Sequence, residues 1–469
     1  MIKRKLFSDL ANHLSQKEIS IIIGPRQSGK TTLMDMLRED LDQKGERTLY
    51  LNLDIEWDMP HFESQSALIR KIELELGKQR GYVFIDEIQR KENAGLFLKG
   101  LFDLKLPYKL IVSGSGSLEL KERIHESLVG RKRLFELTTI TLEEFIHHKT
   151  DYRYRENLSE FLEIEKDRTQ QFLIEYMTFG GYPRVVLAPE QTEKFRIIDE
   201  IYRSILEKDI AYLLKVDKTG AFSALIKILS SRIGSLINYS ELSSTLNISY
   251  QTVKNYLWYS RKTFLLDIMS PYVRNVRKEI TKSPVPYFWD LGLRNYASGV
   301  FGHLGSRSEC GFIFENLVFL LLKEQIRFTA TKLNFWRTKD KAEVDFVLET
   351  GRKVVPVEVK YKSFIREEIP RSLRSFIKKY SPDKAYIVNL DYRGAVKINK
   401  TVLFFIPYHE LLYKKLGTGT QHLPEAGLCD IYAMRSDISL MVWQSGGQKA
   451  PRYATTAAHP HLEQSASLP

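Results

Sequence analysis

Short apolar runs alternate with amphipathic segments along the first 150 residues. Each run is long enough for one buried strand, and the runs lie at residues 20–24, 48–54, 82–86, 109–113 and 134–138. The segments between them place apolar residues at helical spacing, as Leu33, Met34 and Leu37 do. Strands that alternate with helices predict a doubly wound parallel sheet of the α/β class, here assigned to residues 1–150.

The pattern changes after residue 150 and divides the rest of the chain into four predicted parts. Charged helical segments predict a helical lid over 151–221, and a winged helix-turn-helix is predicted over 222–299. Residues 300–416 return to a mixed α/β pattern. Residues 417–469 contain seven charged side chains and keep no helical or strand period, which predicts a disordered tail.

The predicted helix-turn-helix has a first helix over Tyr239–Leu246 and a turn at Asn247 and Ile248. A second helix follows from Ser249, a residue type that caps helix N-termini. Its polar side chains are suited to a DNA major groove: Tyr250, Gln251, Lys254 and Asn255. The alternative is a helical packing module that touches only protein.

The turn after the first apolar run carries the chain's clearest chemistry. Residues 24–31 fit the pattern G-x-x-x-x-G-K-[ST] between a strand and a helix, where backbone N–H groups cradle phosphate oxygens. We expect Lys30 to reach the β- and γ-phosphates of ATP and Thr31 to ligate Mg²⁺. The predicted nucleotide-binding residues are Gly24, Pro25, Arg26, Gln27, Ser28, Gly29, Lys30, Thr31 and Thr32.

Two carboxylates follow the third apolar run, at the end of a strand where open α/β sheets bind ligands. We expect Asp86 to hold the Mg²⁺ shell and Glu87 to orient or deprotonate the attacking water. The next strand ends in Ser113 and Ser115, either of which is placed to touch the γ-phosphate or the water. A Gly/Ser turn without catalytic duty is the alternative there.

A second acidic pattern lies in the C-terminal part. Asp345, a hairpin, and then Glu358-Val-Lys360 form the pattern of the PD-(D/E)XK nuclease fold. Because Glu358 and Lys360 are two residues apart on one strand, they share a face, and Asp345 on the neighbouring strand can converge with Glu358 on one Mg²⁺. Glu315 is a candidate outer ligand. A solvent-facing Glu/Lys pair on a strand edge is the alternative reading.

Charge and composition add a partner class and a compartment. The chain has 70 basic and 58 acidic residues, a formal charge of +12, which suits DNA but also fits a soluble basic enzyme. No apolar run reaches the roughly 18 residues of a membrane span. Only Cys310 and Cys429 occur, without metal-site spacing, so we expect a reduced, cytoplasmic protein.

Several of these motifs together resemble those of a family of prokaryotic AAA-type ATPases that carry a C-terminal restriction-endonuclease-like domain of unknown function. The motifs lie at residues 24–32, 84–89, 112–115, 128–131 and 179–183. The resemblance covers about residues 1–415. It implies an ATP-binding P-loop module, a winged-helix segment and a nuclease-like C-terminal domain.

Arg131 is the candidate arginine finger, because it follows a Leu-x-Gly turn. A finger that serves a neighbouring subunit requires a homo-oligomer. Arg131 could equally bind DNA phosphates or belong to a solvated basic cluster.

The predicted function is a Mg²⁺-dependent ATPase that acts on or near DNA. The basic clusters at 131–133 and 274–278 favour DNA, and Glu87 favours turnover. The alternative is a nucleotide-dependent signalling switch whose C-terminal half only binds partners. A third reading takes metal-dependent endonuclease as the main activity.

Overall fold

The computed structural model describes residues 1–116, 128–210, 220–273 and 283–416. The N-terminal part contains a five-stranded sheet in the order β2-β3-β4-β1-β5, and every neighbouring pair is parallel. The doubly wound parallel sheet is thus confirmed. Its strands are β1 (Ile19–Gly24), β2 (Thr48–Asn52), β3 (Gly81–Asp86), β4 (Tyr108–Ser115) and β5 (Lys132–Glu136).

Helices cover both faces of this sheet because each has one apolar side. On one face, Leu33 and Leu37 pack with Ile22 and Phe84 of the strands. On the other face, Leu68 and Leu98 belong to a second buried cluster. The helices are α1 (Leu6–His13), α2 (Lys30–Gln43), α3 (Gln65–Leu76) and α4 (Ala94–Asp103), with 3₁₀ turns at Met59–Phe62 and Ile88–Arg90.

A helical region follows the sheet. Its first helix begins with a capping box, in which Thr141 and Glu144 satisfy each other's backbone N–H groups. The helices are α5 (Leu142–Lys149), α6 (Leu158–Ile164), α7 (Lys166–Phe179), α8 (Pro183–Leu187) and α9 (Gln191–Ser204), followed by a π-helix at Ile205–Ile210. The predicted helical character is present in the described part, and the role as a lid stays a prediction.

The predicted helix pair of the next region is present. Helices α10 (Gly220–Ser230), α11 (Tyr239–Leu246) and α12 (Tyr250–Lys262) precede an antiparallel pair, β6 (Leu266–Met269) and β7 (Val285–Phe288). Ser249 caps α12, since its hydroxyl accepts from the N–H of Thr252 at 3.0 Å. The winged-helix interpretation stays a prediction, and the basic cluster at 274–278 lies outside the described residues.

The C-terminal part contains a six-stranded mixed sheet in the order β12-β13-β11-β10-β9-β8. Antiparallel pairing joins β8, β9 and β10, and parallel pairing joins β10, β11 and β13. The elements are α13 (Leu291–Ser298), α14 (Arg307–Gln325), β8 (Lys332–Arg337), β9 (Glu343–Thr350), β10 (Lys353–Val359), α15 (Arg371–Tyr380), β11 (Lys384–Asn389), β12 (Gly394–Ile398), β13 (Thr401–Pro407) and a 3₁₀ turn at Tyr408–Leu412.

One hydrophobic core crosses the predicted domain boundaries. It runs from Ile140 through Ile198 and Leu257 to Phe314 and Leu416. The boundaries at 151, 222 and 300 therefore do not separate independent cores, and they stay predictions. The predicted tail at 417–469 lies outside the described residues.

Within the described ranges, none of the helices is long and apolar enough to cross a membrane. The cytoplasmic location expected from the cysteine content stays a prediction.

Candidate functional site

The phosphate loop connects the end of β1 to the start of α2. Gly24 leaves no room for a side chain, because a Cβ there would lie 2.0 Å from the carbonyl oxygen of Leu137. Gly29 has φ +93° directly before α2, a backbone conformation that glycine adopts without strain. The two glycines thus set a tight turn that ends on a helix N-terminus, which is the geometry that binds phosphate.

The polar groups of this loop fit a nucleotide phosphate. Lys30 is 6% exposed, and its ammonium donates to the carbonyl oxygens of Gly24 and Pro25 at 3.3 and 2.9 Å. The hydroxyl of Ser28 is buried and has no hydrogen-bond partner among the described residues. A buried ammonium and an unmatched buried hydroxyl are the groups that phosphate oxygens would satisfy.

Asp86 ends β3 and is the centre of the site. Its Oδ2 accepts from the hydroxyls of Thr31 at 2.7 Å and Tyr50 at 2.8 Å. Its Oδ1 accepts from the N–H of Glu87 at 3.0 Å and from the hydroxyl of Ser113. Asp86 is 1% exposed, so each carboxylate oxygen is held by two protein donors away from water.

Thr31 and Asp86 are suited to hold Mg²⁺ together with ATP. A hydroxyl and a carboxylate are hard oxygen ligands, and here they lie 2.7 Å apart. The hydroxyl of Thr31 donates its proton to Asp86 and keeps its lone pairs for a cation. Ser113 donates to Asp86, and its predicted contact with the γ-phosphate or the water stays a prediction. The side chain of Ser115 lies outside the description.

Glu87 follows Asp86 with a left-handed backbone, at φ 55°. A non-glycine residue in this conformation is strained, and such residues concentrate at functional sites. The side-chain amide of Gln89 donates to Oε2 of Glu87. The carboxylate of Glu87, the predicted base, is therefore held by Gln89, two residues further along the chain.

Three residues of the site were missed by sequence reasoning. Arg4 is buried and donates to the carbonyl oxygen of Ser28 at 2.9 Å and to the carboxylate of Glu144 at 3.1 Å. Tyr50 reaches Asp86 from the neighbouring strand. Arg184 donates to the side-chain oxygen of Gln27 at 3.2 Å.

Among these three, only Arg184 had a local signal. It directly follows residues 179–183, one of the motifs that resemble those of the AAA-type ATPase family. Arg4 and Tyr50 lie outside every motif, and their roles depend on tertiary contacts.

Arg131 lies at the opposite end of the sheet from the phosphate loop. Its carbonyl oxygen accepts from the N–H of Ile19, at the start of β1, while the loop begins after Gly24 at the strand's other end. Five residues of strand span about 16 Å. The guanidinium pairs with Asp103 at 2.7 Å. Arg131 thus lies at the end of the strands that is opposite to the phosphate loop. Its role as an arginine finger stays a prediction.

Helix α12 presents a polar face without acidic residues. Its exposed side chains include Gln251, Lys254, Asn255, Trp258 and Arg261. Lys254 lies over the ring of Tyr250 at 4.8 Å, and Lys262 lies over the ring of Trp258 at 5.3 Å. Aromatic and basic groups therefore alternate along this surface.

The second acidic cluster lines one pocket of about 560 Å³. Asp345 and Glu358 come from neighbouring strands, Glu315 comes from α14, and the loop between α10 and α11 covers them. The lining residues are Ile233, Gly234, Ser235, Leu236, Phe312, Glu315, Arg337, Glu343, Asp345 and Glu358.

Hydrogen bonds hold this pocket but leave one oxygen free. Lys360 donates to Oε1 of Glu358 at 2.8 Å, and the N–H of Val359 donates to Asp345 at 2.7 Å. Tyr287 donates to Glu315 at 2.6 Å. Oε2 of Glu358 is buried and has no partner among the described residues.

Burial shifts the acid–base behaviour of this pocket. Burial, and next the charge of Asp345, raise the pKa of Glu358 to about 8. Burial raises the pKa of Asp345 and raises that of Glu315 well above its usual range. Burial alone would lower the pKa of Lys360, but the Asp345 and Glu358 carboxylates raise it. The carboxyls of this pocket therefore keep their protons to higher pH than exposed carboxyls do.

In the part of the chain that the structure describes, no three His, Cys, Asp or Glu side chains are arranged as a ready metal-ligand set. The pocket can instead offer the pair Asp345 and Glu358. A cation such as Mg²⁺, which keeps several waters, is compatible with so few protein ligands.

Family models match three separate stretches of the chain. Residues 16–146 match the AAA domain model. They form an AAA-type ATPase domain of the P-loop class. Residues 170–304 and 310–411 match two models described as domains of unknown function, DUF8612 and DUF4143. The matched AAA domain contains the phosphate loop, Asp86, Glu87 and Ser113, so the motifs and the family model point to the same site.

Relatives extend over most of the chain. An uncharacterized protein of Haemophilus influenzae is 28% identical over 359 residues, 73% of this chain and 82% of its own length. An uncharacterized protein of Methanocaldococcus jannaschii is 26% identical over 350 residues, 72% of this chain and 74% of its own. One of Mycobacterium tuberculosis is 25% identical over 381 residues, 80% of this chain and 76% of its own.

Similarity to solved structures is weak. The replication initiator DnaA bound to AMPPCP and single-stranded DNA aligns with a TM-score of 0.27 and 14% identity, over 56% of this chain and 90% of its own. AMPPCP-bound DnaA from Aquifex aeolicus aligns with a TM-score of 0.25 and 15% identity, over 55% and 86%. The assignment of the AAA domain therefore depends on the family model and on the site.

Proposed function

We propose that the protein is a Mg²⁺-dependent ATPase that acts on or near DNA. The observation that carries the proposal is the 2.7 Å hydrogen bond between Thr31 and Asp86. It joins the phosphate loop to the end of β3, where Glu87 is the next residue. The phosphate loop, the carboxylate of Asp86 and the proposed base Glu87 thus lie together at the carboxyl ends of the strands.

Each group has a distinct task in this proposal. Lys30 neutralises the β- and γ-phosphates once it leaves the loop carbonyls, and Thr31 and Asp86 hold the cation. Mg²⁺, when bound with ATP, supplies charge neutralisation of the phosphates. Glu87 orients the attacking water, which requires that it leave the amide of Gln89.

Steady-state phosphate release tests the hydrolysis directly. We expect Glu87→Gln to keep the affinity for a non-hydrolysable ATP analogue and to lower turnover by about 100-fold, as for loss of a general base. Glu92→Gln is the matched control, because Glu92 is an exposed carboxylate on the same segment. Unchanged release in Glu87→Gln, or no ATP turnover by the wild type, would contradict the proposal.

The DNA part of the proposal is supported by helix α12. The helix carries three basic residues, Lys254, Arg261 and Lys262, and no acidic residue. Neutralisation of phosphates releases counterions, so affinity should fall steeply with salt. We expect Lys254→Ala to weaken DNA binding and to reduce the salt slope by about one. Lys78→Ala removes an exposed charge elsewhere and serves as the control.

Binding and turnover together separate this proposal from a signalling switch. An ATPase that works on DNA should bind it at low salt and change its turnover when DNA is present. A wild type that binds ATP, hydrolyses it slowly and has no affinity for DNA at low salt would favour the switch.

A second candidate function is metal-dependent cleavage of DNA in the C-terminal pocket, for which Asp345 and Glu358 would hold the cation. Glu358 is 4% exposed, and one of its carboxylate oxygens has no partner among the described residues, which favours a cationic ligand. Lys360, beside Glu358, would stabilise charge on the phosphate. Cleavage in Mn²⁺ should vanish in Asp345→Ala and persist in Asp340→Ala, an exposed carboxylate nearby. No cleavage of any DNA by the wild type would rule out this second function.

A further inference from the structure

The geometry points to Tyr50 as a positioning residue that orients the Mg²⁺-binding carboxylate of Asp86. The inference rests on the proposed function, because it concerns the cation that accompanies ATP. Tyr50 lies outside every motif of the chain, and its phenol reaches Asp86 from the neighbouring strand.

Two strands hold Asp86 from opposite sides. In the sheet order, β3 lies between β2 and β4. Tyr50 on β2 donates to Oδ2 at 2.8 Å, and Ser113 on β4 donates to Oδ1. Because each oxygen is tied to a different neighbouring strand, rotation of the carboxylate about its last side-chain bond would break a hydrogen bond.

Tyr50 and Thr31 share one oxygen of Asp86. Both hydroxyls donate to Oδ2, at 2.8 and 2.7 Å. In the proposed site the hydroxyl of Thr31 would also serve a cation through its lone pairs. Tyr50 has no such second duty, and it remains a donor to Oδ2 however Thr31 is engaged. Without Tyr50, the position of Oδ2 would depend on Thr31 alone.

The surroundings of Tyr50 help to hold its ring in place. The guanidinium of Arg38 lies 5.2 Å from the ring centre, and Arg38 in turn pairs with Asp35 at 3.7 Å. The hydroxyl at the other end of the ring donates to Asp86. The phenol is therefore held at both ends, as a group that orients a carboxylate must be.

Tyr50→Phe tests the inference because it removes only the hydroxyl. The measurement is the affinity for a non-hydrolysable ATP analogue by calorimetry, first in EDTA and then across a Mg²⁺ titration. We expect unchanged affinity in EDTA. The Mg²⁺ concentration for half-maximal enhancement should rise by about 10-fold, as is typical when a partner of a metal ligand is lost.

Tyr108→Phe is the matched control. Tyr108 is on β4 of the same sheet, and its hydroxyl donates to the carbonyl oxygen of Gly77, away from Asp86. It should lose a hydrogen bond without any change in Mg²⁺ dependence. A shift in both variants would indicate a general loss of sheet stability and would overturn the inference.

Two outcomes separate this inference from the proposed function. If the wild type binds the analogue and Tyr50→Phe has the same Mg²⁺ dependence, the inference alone is wrong. Equal losses of affinity in EDTA and in Mg²⁺ would assign Tyr50 a merely structural role and also overturn it. If the wild type binds no nucleotide with or without Mg²⁺, the proposed function fails and the inference fails with it.

Discussion

The chain places two pairs of carboxylates near strand ends, Asp86 with Glu87 and Asp345 with Glu358. The pairs differ in the groups that donate hydrogen bonds to their oxygens. In the AAA domain, both oxygens of Asp86 are occupied by four neutral donors from Thr31, Tyr50, Ser113 and the backbone of Glu87. In the C-terminal pocket, Glu358 has Lys360 on one oxygen and no partner among the described residues on the other.

This difference predicts different cation chemistry at the two sites. Asp86 is held in place before any cation arrives, so the ATP phosphates must bring the remaining ligands and charge. The C-terminal carboxyls are buried, which raises the pKa of both Asp345 and Glu358, and the charge of Asp345 adds to the rise at Glu358. A cation would offset this unfavourable burial of negative charge without help from a nucleotide.

The largest expected effect is that of Lys30→Ala on the AAA site. Removal of a buried ammonium should lower the affinity for an ATP analogue by about 100-fold, on the scale of a lost charge-assisted contact. Calorimetric titration measures it. Lys44→Ala, just after the end of the same helix, is the control, because Lys44 is exposed and pairs with Asp40 at the surface. Equal affinity in Lys30→Ala and wild type would invalidate the nucleotide site.

A smaller effect is expected from Gly234→Ala at the cover of the acidic pocket. Gly234 has φ +68°, and a Cβ there would lie 2.4 Å from a carboxylate oxygen of Glu315. We expect a loss of about 1–3 kcal/mol in the free energy of unfolding, measured by urea denaturation.

Gly130→Ala separates the two causes of that loss. Gly130 has a similar φ of +72°, but a Cβ there meets no atom of the described residues within 4 Å. It should lose only the part caused by backbone strain. If the two variants lose the same free energy of unfolding, steric contact between residue 234 and Glu315 does not contribute to the loss.

The smallest effect is expected from Arg184→Ala. Arg184 bridges Gln27 of the phosphate loop and Glu200 of α9, at 3.2 and 2.9 Å. Both partners are partly exposed, so the contact should contribute at most about 1 kcal/mol, or a few-fold in nucleotide affinity. Arg196→Ala removes a more exposed arginine of α9 and should have no effect. A loss as large as that of Lys30→Ala would mean that Arg184 touches the phosphates.

The two sites also differ in how far sequence alone could predict them. The phosphate loop, Asp86 and Glu87 lie in short contiguous motifs at strand ends. The local sequence pattern was therefore enough to predict them. The strands and a helix pair over Tyr239–Leu246 and residues 249–259 were predicted for the same reason. The structure confirms both helices and places the second at Tyr250–Lys262.

Contacts that depend on the arrangement of distant segments could not be predicted. Tyr50 reaches Asp86 only because β2 pairs with β3, and Arg4 reaches Ser28 although the two residues are 24 positions apart in the chain. The cover of the acidic pocket by Gly234 brings together residues 81 positions apart in the chain (Gly234 and Glu315). No local period encodes such a contact, because it depends on how the core packs.

Counting bound Mn²⁺ by electron paramagnetic resonance tests the comparison most directly. We expect one nucleotide-independent ion in the wild type and a second ion when an ATP analogue is added. Asp345→Ala should lose the first ion only, and Lys30→Ala should lose the second only. A wild type that binds no Mn²⁺ without nucleotide, or an Asp345→Ala variant that keeps both ions, would contradict the assignment of separate cation sites.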